Sequence, residues 1–203
     1  MRKLFFILAI AMGACSAPVT DVQNESVSSG PWVLVEEVST VSFVSIKKGD
    51  ISEAHEFTSL TGHVDVDGQA VVNIVLDSVQ THIDVRNERM REYLFETNTH
   101  PFATIKAGVD VGSLLTLSQG QRQQAFVMLD VDLHGTVVTV EADVFITNIG
   151  ANRVLVESRV PVLVHAQDYA LMDGLAKLQE LAKLPAISPA VPVSFSLVFE
   201  SES

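Results

Sequence analysis

The sequence predicts an all-β domain built from about eight antiparallel strands and two short helices. Three observations support this prediction: apolar and polar residues alternate from Trp32 onward, turn residues interrupt the alternation, and helical spacing is confined to two stretches. A set of about eight strands either closes into a barrel or stacks as a sandwich. The alternation alone leaves both arrangements open.

The first strands follow one another through short turns. Residues 41–44 alternate between the two faces of a strand, and residues 47–50 predict the turn that follows. An extended segment over residues 57–66 ends at an Asp-Gly pair, residues 67–68, which is typical of a tight hairpin. Residues 72–77 form the next predicted strand, with the apolar side chains on one face.

A short amphipathic helix is predicted over residues 86–95. Met90 and Leu94 lie four positions apart, on one face of a helix, with charged residues between them. The helix must end before Pro101, because proline disfavours helical backbone in the residue that precedes it.

Alternation returns after this helix and continues almost to the end of the chain. The remaining strands are predicted at residues 103–107, 127–133, 138–144, 154–164 and 191–199. His134-Gly135 separates the second of these strands from the third, and residues 148–152 form the following turn.

A second helix is predicted over residues 174–184, where leucines repeat at helical spacing. Asp173 is the expected N-cap, and Pro185 ends the helix. The leucines on one face need cover, so we expect the helix to lie over one end of the strands as a lid.

Residues 1–14 form a predicted secretory signal peptide. A positive start, Arg2-Lys3, precedes an apolar run that is shorter than the roughly 20 residues needed to span a bilayer. The junction over residues 12–15 resembles the lipobox of bacterial lipoproteins, which implies that Cys15 carries a lipid anchor. Met12 stands where that motif prefers leucine, so cleavage by the ordinary signal peptidase is the alternative.

Residues 15–31 are small and polar and predict a flexible tether, and residues 32–203 form the folded domain. Because Cys15 is the single cysteine, no disulfide can form within the chain. Ser16 does not resemble a signal for retention in the inner membrane. Export, the lipid anchor and this serine together predict a periplasmic lipoprotein, held at the outer rather than the inner membrane.

The chain is acidic, with a formal net charge of −12. Removing Arg2 and Lys3 with the signal peptide leaves 11 basic against 25 acidic residues, a net charge of −14. Such a surface repels phosphate backbones, which argues against a nucleic-acid partner, and it offers no basic patch for anionic lipid headgroups. Any lipid partner is therefore expected inside the domain.

The sequence contains no motif typical of catalysis or of a metal site. The histidines, six in all, are scattered, and no pair has the i, i+4 spacing of a helical zinc site. His63 and Asp65 would share one face of a strand and could form half a metal site, although a solvated strand face is the commoner explanation. Neither a Gly-x-Ser-x-Gly elbow nor a phosphate-binding loop occurs. The sequence therefore predicts no enzyme, no metal and no cofactor other than a bound lipid.

Four blocks of sequence occur in the order found in a known family. They are Ser39–Phe43, Phe57 with Gly62, the segment from Ser78 through Arg86-Asn87, Met90 and Leu94-Phe95 to His100-Pro101, and Val131–Gly135. Together they resemble the YceI-like proteins, lipocalin-like barrels of the bacterial periplasm associated with binding polyisoprenoids and other lipids. The resemblance implies an all-β fold, an antiparallel eight-stranded lipocalin-like β-barrel with two short helices.

The chain also departs from the family pattern. Asn87 stands where the family favours aspartate, and Arg89 stands where it favours histidine. Residues 166–170 replace an Arg-x-Asp-Phe-Gly run, and the helix after Asp173 looks inserted. These differences leave the identity of the ligand open.

The resemblance implies that the barrel holds a long apolar ligand, a polyisoprenoid or another lipid, as a carrier, sequestering protein or sensor. The residues expected to line the site are Phe43, Phe57, Ile74, Leu76, Met90, Leu94, Phe95, Ile105 and Leu129. Arg86 is expected at the barrel mouth, where a guanidinium can pair with a phosphate or carboxylate headgroup. The alternative for Arg86 is a surface position paired with Glu88 or Asp84.

A rival function is a solidly packed barrel that acts through its outer surface as a structural or interaction protein. The presence of an interior cavity would distinguish the two functions. The sequence does not indicate an oligomeric state.

Overall fold

The structure is a computed structural model, and it describes residues 31–202. The predicted signal peptide, Cys15 and nearly all of the predicted tether lie outside those residues.

The described residues form twelve strands in one antiparallel sheet. Their bounds are β1 Trp32–Leu34, β2 Thr40–Lys47, β3 Ile51–Phe57, β4 Leu60–Val64, β5 Gln69–Val75, β6 Val79–Gln80, β7 Phe102–Gly108, β8 Arg122–Leu133, β9 Thr136–Gly150, β10 Arg153–Ser158, β11 Val162–His165 and β12 Ala190–Ser201.

The sheet closes on itself into a barrel. The ring runs through β1, β4, β5, β7, β8, β9, β10 and β12, and it closes where Leu34 lies opposite Phe199. Closure removes the free edges that an open sheet exposes. The predicted eight-stranded antiparallel barrel is confirmed, and the sandwich alternative is wrong.

Short irregular segments explain why the described chain has twelve strands and not eight. A 3₁₀ turn at Glu36–Val38 divides β1 from β2, which lie beside successive parts of β12. A second turn, Leu76–Ser78, divides β5 from β6. Pro161, which has no backbone N–H to donate, lies between β10 and β11. β3 and β4 also follow one another directly. Each of the four pairs, β1 with β2, β3 with β4, β5 with β6 and β10 with β11, is therefore one long strand with a break.

The first predicted helix is confirmed. It comprises α1, Asp84–Arg89, and a π-helical turn, Met90–Leu94, that continues it. A five-residue helix, α2, Val111–Leu115, was not predicted, because it is too short to show a helical period. The carboxylate of Asp110 accepts a hydrogen bond from the backbone N–H of Ser113 and so caps it.

The second predicted helix is α3, Met172–Leu181. The prediction that Asp173 is its N-cap is wrong: Leu171 precedes the helix, and Asp173 lies inside the first turn. An acidic side chain there still interacts favourably with the positive end of the helix dipole. Within the described part of the chain, the helices are all too short or too polar to cross a membrane.

The turn between β8 and β9 is formed by His134 and Gly135, as predicted. Their φ angles are 55° and 77°, the left-handed values that a tight two-residue hairpin requires at both positions. Gly135 adopts such an angle without strain, whereas His134 carries a side chain in a region that few residues occupy.

Candidate ligand-binding cavity

A cavity of about 280 Å³ lies inside the barrel. Its wall is formed by inward side chains of the strands, by the π-helical turn and by α3. Among the described residues of this wall, polar atoms occur only in the hydroxyl of Ser188, which donates to the carbonyl of Ala190 at 2.9 Å, and in the indole N–H of Trp32, which is buried without a partner. The cavity can therefore make contact with hydrocarbon but offers hardly any polar group to a ligand.

The interior is not packed solid. Ile105 of β7 and Val131 of β8 are paired in the ladder and both line the cavity, yet neither is fully buried. Leu129, two residues earlier on the same face of β8, is also only half-buried. Inward side chains of a close-packed interior would lose nearly all of their accessible surface. The surface that these residues keep faces the cavity.

The structure brings nine of the ten predicted ligand-binding residues together. The residues that line the cavity as expected are Phe43, Phe57, Ile74, Leu76, Met90, Leu94, Phe95, Ile105 and Leu129. Three of them form a continuous aromatic surface: the ring centroids of Phe43 and Phe57 are 5.4 Å apart, and those of Phe57 and Phe95 are 5.9 Å apart. These separations suit tilted ring pairs, so the surface joins β2 and β3 to the end of the π-helical turn.

Arg86 does not belong to the described wall of the cavity. Its guanidinium donates from Nη1 to Glu53 at 2.9 Å and from Nη2 to the carbonyl of Thr81 at 2.7 Å. The predicted alternative partners, Glu88 and Asp84, are therefore wrong, because the partner is Glu53 of β3. A hydrogen bond from Lys47, aided by the charge of Arg86, lowers the pKa of Glu53.

His55 is a buried histidine on the face of β3 that also carries Phe57, next to the wall of the cavity. Its ring centroid is 5.1 Å from that of Phe43, and its Nε2 lies 2.8 Å from Oγ of Ser45. Nδ1 is buried and has no hydrogen-bond partner among the described residues. A neutral ring with the proton on Nε2 fits this setting, since an unpaired N–H would cost more than an unpaired lone pair. Burial, with Arg86 adding to it, lowers the pKa of His55 to about 4.

The cavity wall includes several residues that were not predicted. They lie all round the barrel, and those of the last strand and of the α3 region are Val191, Val193, Phe195, Leu197 and Phe199 as well as Leu171 and Leu175. The residues of β12 share one face of the strand, so the period-two alternation over 191–199 was a sufficient signal for them.

Helix α3 covers one end of the barrel. Leu175 lines the cavity, and Leu178 packs against the core cluster that surrounds it. A Cβ atom on Gly174 would lie 2.3 Å from the carbonyl oxygen of Tyr93, so the helix contacts the π-helical turn directly through this glycine. The helix thus occupies the position expected of a lid.

The other candidate ligands have structural explanations or lie elsewhere. Asp65, the partner proposed for His63, accepts hydrogen bonds from the backbone N–H groups of Asp67 and Gln69 and so holds the hairpin turn. His63 is exposed on β4. Cys15 lies outside the described residues, and its lipid anchor stays a prediction.

The chain is similar to known proteins in sequence and in fold. The YceI-like domain matches the chain over residues 32–199. The chain belongs to the YceI-like family. No curated protein matches the chain.

Two solved structures show how far the likeness extends. A polyisoprenoid-binding domain from Saccharophagus degradans, implicated in plant cell wall breakdown, is 38% identical, with a TM-score of 0.83 over 84% of this chain and 98% of that one. BcnA of Burkholderia cenocepacia is 18% identical, with a TM-score of 0.62 over 81% of this chain and 98% of that one. The second likeness is one of fold alone.

Proposed function

We propose that the protein binds a long apolar lipid, of the polyisoprenoid class or related to it, inside its barrel. The observation that carries the proposal is the cavity of about 280 Å³ with its almost wholly apolar wall. The similarity to a domain described as polyisoprenoid-binding supports the same ligand class. In this function the protein acts as a carrier, a sequestering protein or a sensor of the lipid.

The chemistry of the wall explains how such a ligand would bind tightly without a strong polar contact. Burial of hydrocarbon contributes about 0.8 kcal/mol for each CH₂ group, before the cost of ordering the ligand. A chain of many such groups therefore reaches high affinity from apolar contact alone. Specificity would depend on the length and width of the cavity.

The cavity favours this function over the packed-barrel alternative. A barrel of eight strands is just wide enough either to be filled by its own side chains or to hold one small ligand. Ligand sites commonly measure roughly 300–1,000 Å³, and the cavity, at about 280 Å³, is close to the lower limit of that range. An apolar cavity of this size gains nothing from water, because water needs polar partners.

Native mass spectrometry of the protein purified from its own host tests the proposal. We expect a lipid to remain bound to the wild type and to be lost from Ala107→Phe, which fills the cavity from its wall. The matched control is Lys106→Gln, on the exposed outer face of the same strand, which should keep the lipid. Wild-type protein that carries no lipid, or Ala107→Phe that carries as much, would favour the packed barrel.

We further propose that the mature protein is a periplasmic lipoprotein anchored through Cys15, at the outer rather than the inner membrane. The support is the position of Cys15 after a short apolar run and the polar stretch that follows it. Replacing Cys15 with serine should move the protein from the membrane fraction to the soluble periplasmic fraction. Equal membrane association of both forms would contradict the anchor and leave the ligand proposal unaffected.

A further inference from the structure

Three side chains that could bind a metal ion meet at one end of the barrel. Glu96 and His100 lie in the loop after the π-helical turn, and His134 lies in the hairpin turn between β8 and β9. One carboxylate oxygen and one nitrogen of each imidazole all lie within 4.8 Å of one another. The loop and the hairpin are distant in sequence, so the fold alone brings the three together.

We propose that Glu96, His100 and His134 form a binding site for a divalent transition-metal ion of the zinc class. A tetrahedral centre with bonds of about 2.0–2.1 Å sets its ligand atoms roughly 3.3 Å apart. Nε2 of His134 already lies 3.4 Å from a carboxylate oxygen of Glu96. The 4.8 Å limit on the other separations leaves His100 only a small rotation to complete the set.

The nitrogen of His134 that faces Glu96 is free to bind an ion. Nε2 is buried and has no hydrogen-bond partner among the described residues, although the carboxylate is near. A buried polar atom without a partner is rare in a folded protein and needs an explanation. An ion between the nitrogen and the carboxylate would satisfy both.

The backbone holds two of the ligands in left-handed conformations. The φ angles are 49° at Glu96 and 55° at His134. Such angles are uncommon outside glycine, although asparagine, aspartate and histidine adopt them more often than other residues, and at His134 the two-residue hairpin requires one. The backbone of the loop and of the hairpin thus fixes the positions from which these two side chains extend.

The loop and the hairpin are built to hold His100 against His134. The carbonyl of Glu96 accepts the backbone N–H groups of Thr99 at 2.8 Å and of His100 at 2.9 Å, which fixes the loop as a compact turn. The two imidazole centroids are 4.3 Å apart. Gly135 allows this approach, because a Cβ there would lie 3.3 Å from Cε1 of His100.

The ligand types select the ion. Imidazole nitrogen suits zinc, copper and nickel, whereas magnesium and calcium require sets of oxygen ligands. Two histidines and one glutamate leave a fourth position of a tetrahedral centre for water. The side chain of Glu96 is 56% exposed, so an ion can reach the site from solvent.

Ion binding would also tie together two parts of the cavity wall. Phe95 precedes Glu96, Leu133 precedes His134, and both of these neighbours line the cavity. A ligand of the folded state alone raises the midpoint of thermal unfolding. We therefore expect the ion to stabilise this end of the barrel.

Competition against a chromophoric zinc chelator, with the purified full-length protein freed of metal beforehand, tests the site. We expect one Zn²⁺ per chain, a raised thermal midpoint with Zn²⁺, and no effect of Mg²⁺ at the same concentration. Mutating a residue that only hydrogen-bonds to a metal ligand typically lowers metal affinity 10–100-fold. Losing a direct ligand should therefore lower the affinity at least about tenfold. Glu96→Gln, His100→Ala and His134→Asn should each show that loss, and asparagine tolerates the left-handed backbone of position 134.

Two controls make the result specific. His63→Ala removes an exposed histidine of β4 and should leave the zinc affinity unchanged. Cys15→Ser removes the single cysteine, whose thiol could itself hold zinc in protein that is not lipid-modified, and should also leave the affinity unchanged. Zinc affinity that is equal in wild type and in the three ligand variants would overturn the proposal, as would the absence of any Zn²⁺ binding.

Discussion

The imidazole of His55 packs against the ring of Phe43, with centroids 5.1 Å apart and planes inclined at 57°. Phe43 forms part of the cavity wall, and His55, which lies opposite it in the ladder of β2 and β3, is 4% exposed. The charge of Arg86, which is itself held by Glu53, also acts on His55. A titratable group is thus buried between the apolar wall and a cation, and both disfavour its charged form.

This burial predicts that stability falls as pH falls. The pKa of His55 is lowered to about 4 from an ordinary value near 6.5. Between those values the unfolded chain binds more protons than the folded one, so stability is complete above about pH 6.5 and is lost toward pH 4. The full loss is on the order of 3 kcal/mol. Urea denaturation at several pH values measures it.

His55→Gln isolates this contribution. Glutamine does not titrate, and its amide can still donate to Ser45. Between about pH 7 and pH 5 we expect the free energy of unfolding of the wild type to drop about 2 kcal/mol more than that of the variant. Parallel pH profiles for the two proteins would show that His55 does not titrate as proposed.

Asn87 of α1 accepts hydrogen bonds from the buried residue Thr81. Two substitutions at this position should show whether these hydrogen bonds, or only the shape of the side chain, stabilise the fold. Its Oδ1 accepts the backbone N–H of Thr81 at 2.9 Å and the hydroxyl of Thr81 at 2.6 Å. Asn87→Leu removes the acceptor and should cost about 1–3 kcal/mol for each group left unpaired. Asn87→Asp keeps the acceptor for Thr81 but loses the donor to Oε1 of Gln80 at 3.1 Å, and aspartate is what the family favours, so its cost should be smaller than that of leucine. Urea denaturation measures the loss of stability in both variants, from the unfolding midpoints where the slopes are equal. Equal losses of stability in the two variants would contradict this role of Asn87.

The fold was largely predictable because local patterns report it directly. Alternation in residues 72–77 and 127–133 identifies strand faces, and the pairs Asp67-Gly68 and His134-Gly135 mark their turns. The nine apolar site residues follow from this alternation, from the helical spacing of Met90 and Leu94, and from the family resemblance. In a closed barrel, the inward face of a strand is the cavity face.

The features that the sequence did not predict depend on contacts between segments that are distant in the chain. The partner of Arg86 is Glu53 of β3, whereas sequence proximity suggested Glu88 or Asp84. His100 and His134 belong to separate sequence blocks, and the antiparallel pairing of β7 with β8 brings their rings to 4.3 Å from each other. No periodicity in the chain encodes these distances, because they are set by how strands and loops meet in three dimensions.

The contact between α3 and the π-helical turn predicts a destabilising Gly174→Ala. Alanine favours a helix over glycine by roughly 0.5–1 kcal/mol. Here, however, its Cβ would lie 2.3 Å from the carbonyl oxygen of Tyr93 and 2.9 Å from Cα of Leu94. The overlap should push α3 away from the barrel, which would raise amide hydrogen exchange in α3 and speed the release of a bound lipid.

Gly112→Ala is the matched control for this variant. A Cβ at Gly112 in α2 would meet only Oδ1 of Asp110, at 3.2 Å, so the substitution should be tolerated. If Gly174→Ala changes neither hydrogen exchange nor lipid release, α3 does not act as a lid through this contact.

A charge placed in the cavity wall should abolish lipid binding. Ile74 of β5 is 8% exposed, lines the cavity and lies between Leu60 and Ala103 in the ladder. Ile74→Asp presents a carboxylate to a space that offers it no partner, so hydrocarbon would lose its contact there. Native mass spectrometry should find this variant without lipid, and circular dichroism should confirm that it is folded.

Two further variants separate charge from shape and from position. Asn73→Asp adds the same charge on the other face of β5, where the hydroxyl of Thr104 still finds an acceptor, so lipid binding should persist. Phe95→Ala enlarges the cavity without a charge and should cost about 3–5 kcal/mol of stability while leaving the lipid bound. A folded Ile74→Asp that carries as much lipid as the wild type would mean that this wall does not contact the ligand. The packed barrel would then explain the molecule better, because a buried hydrocarbon chain could not tolerate an unpaired carboxylate at its side.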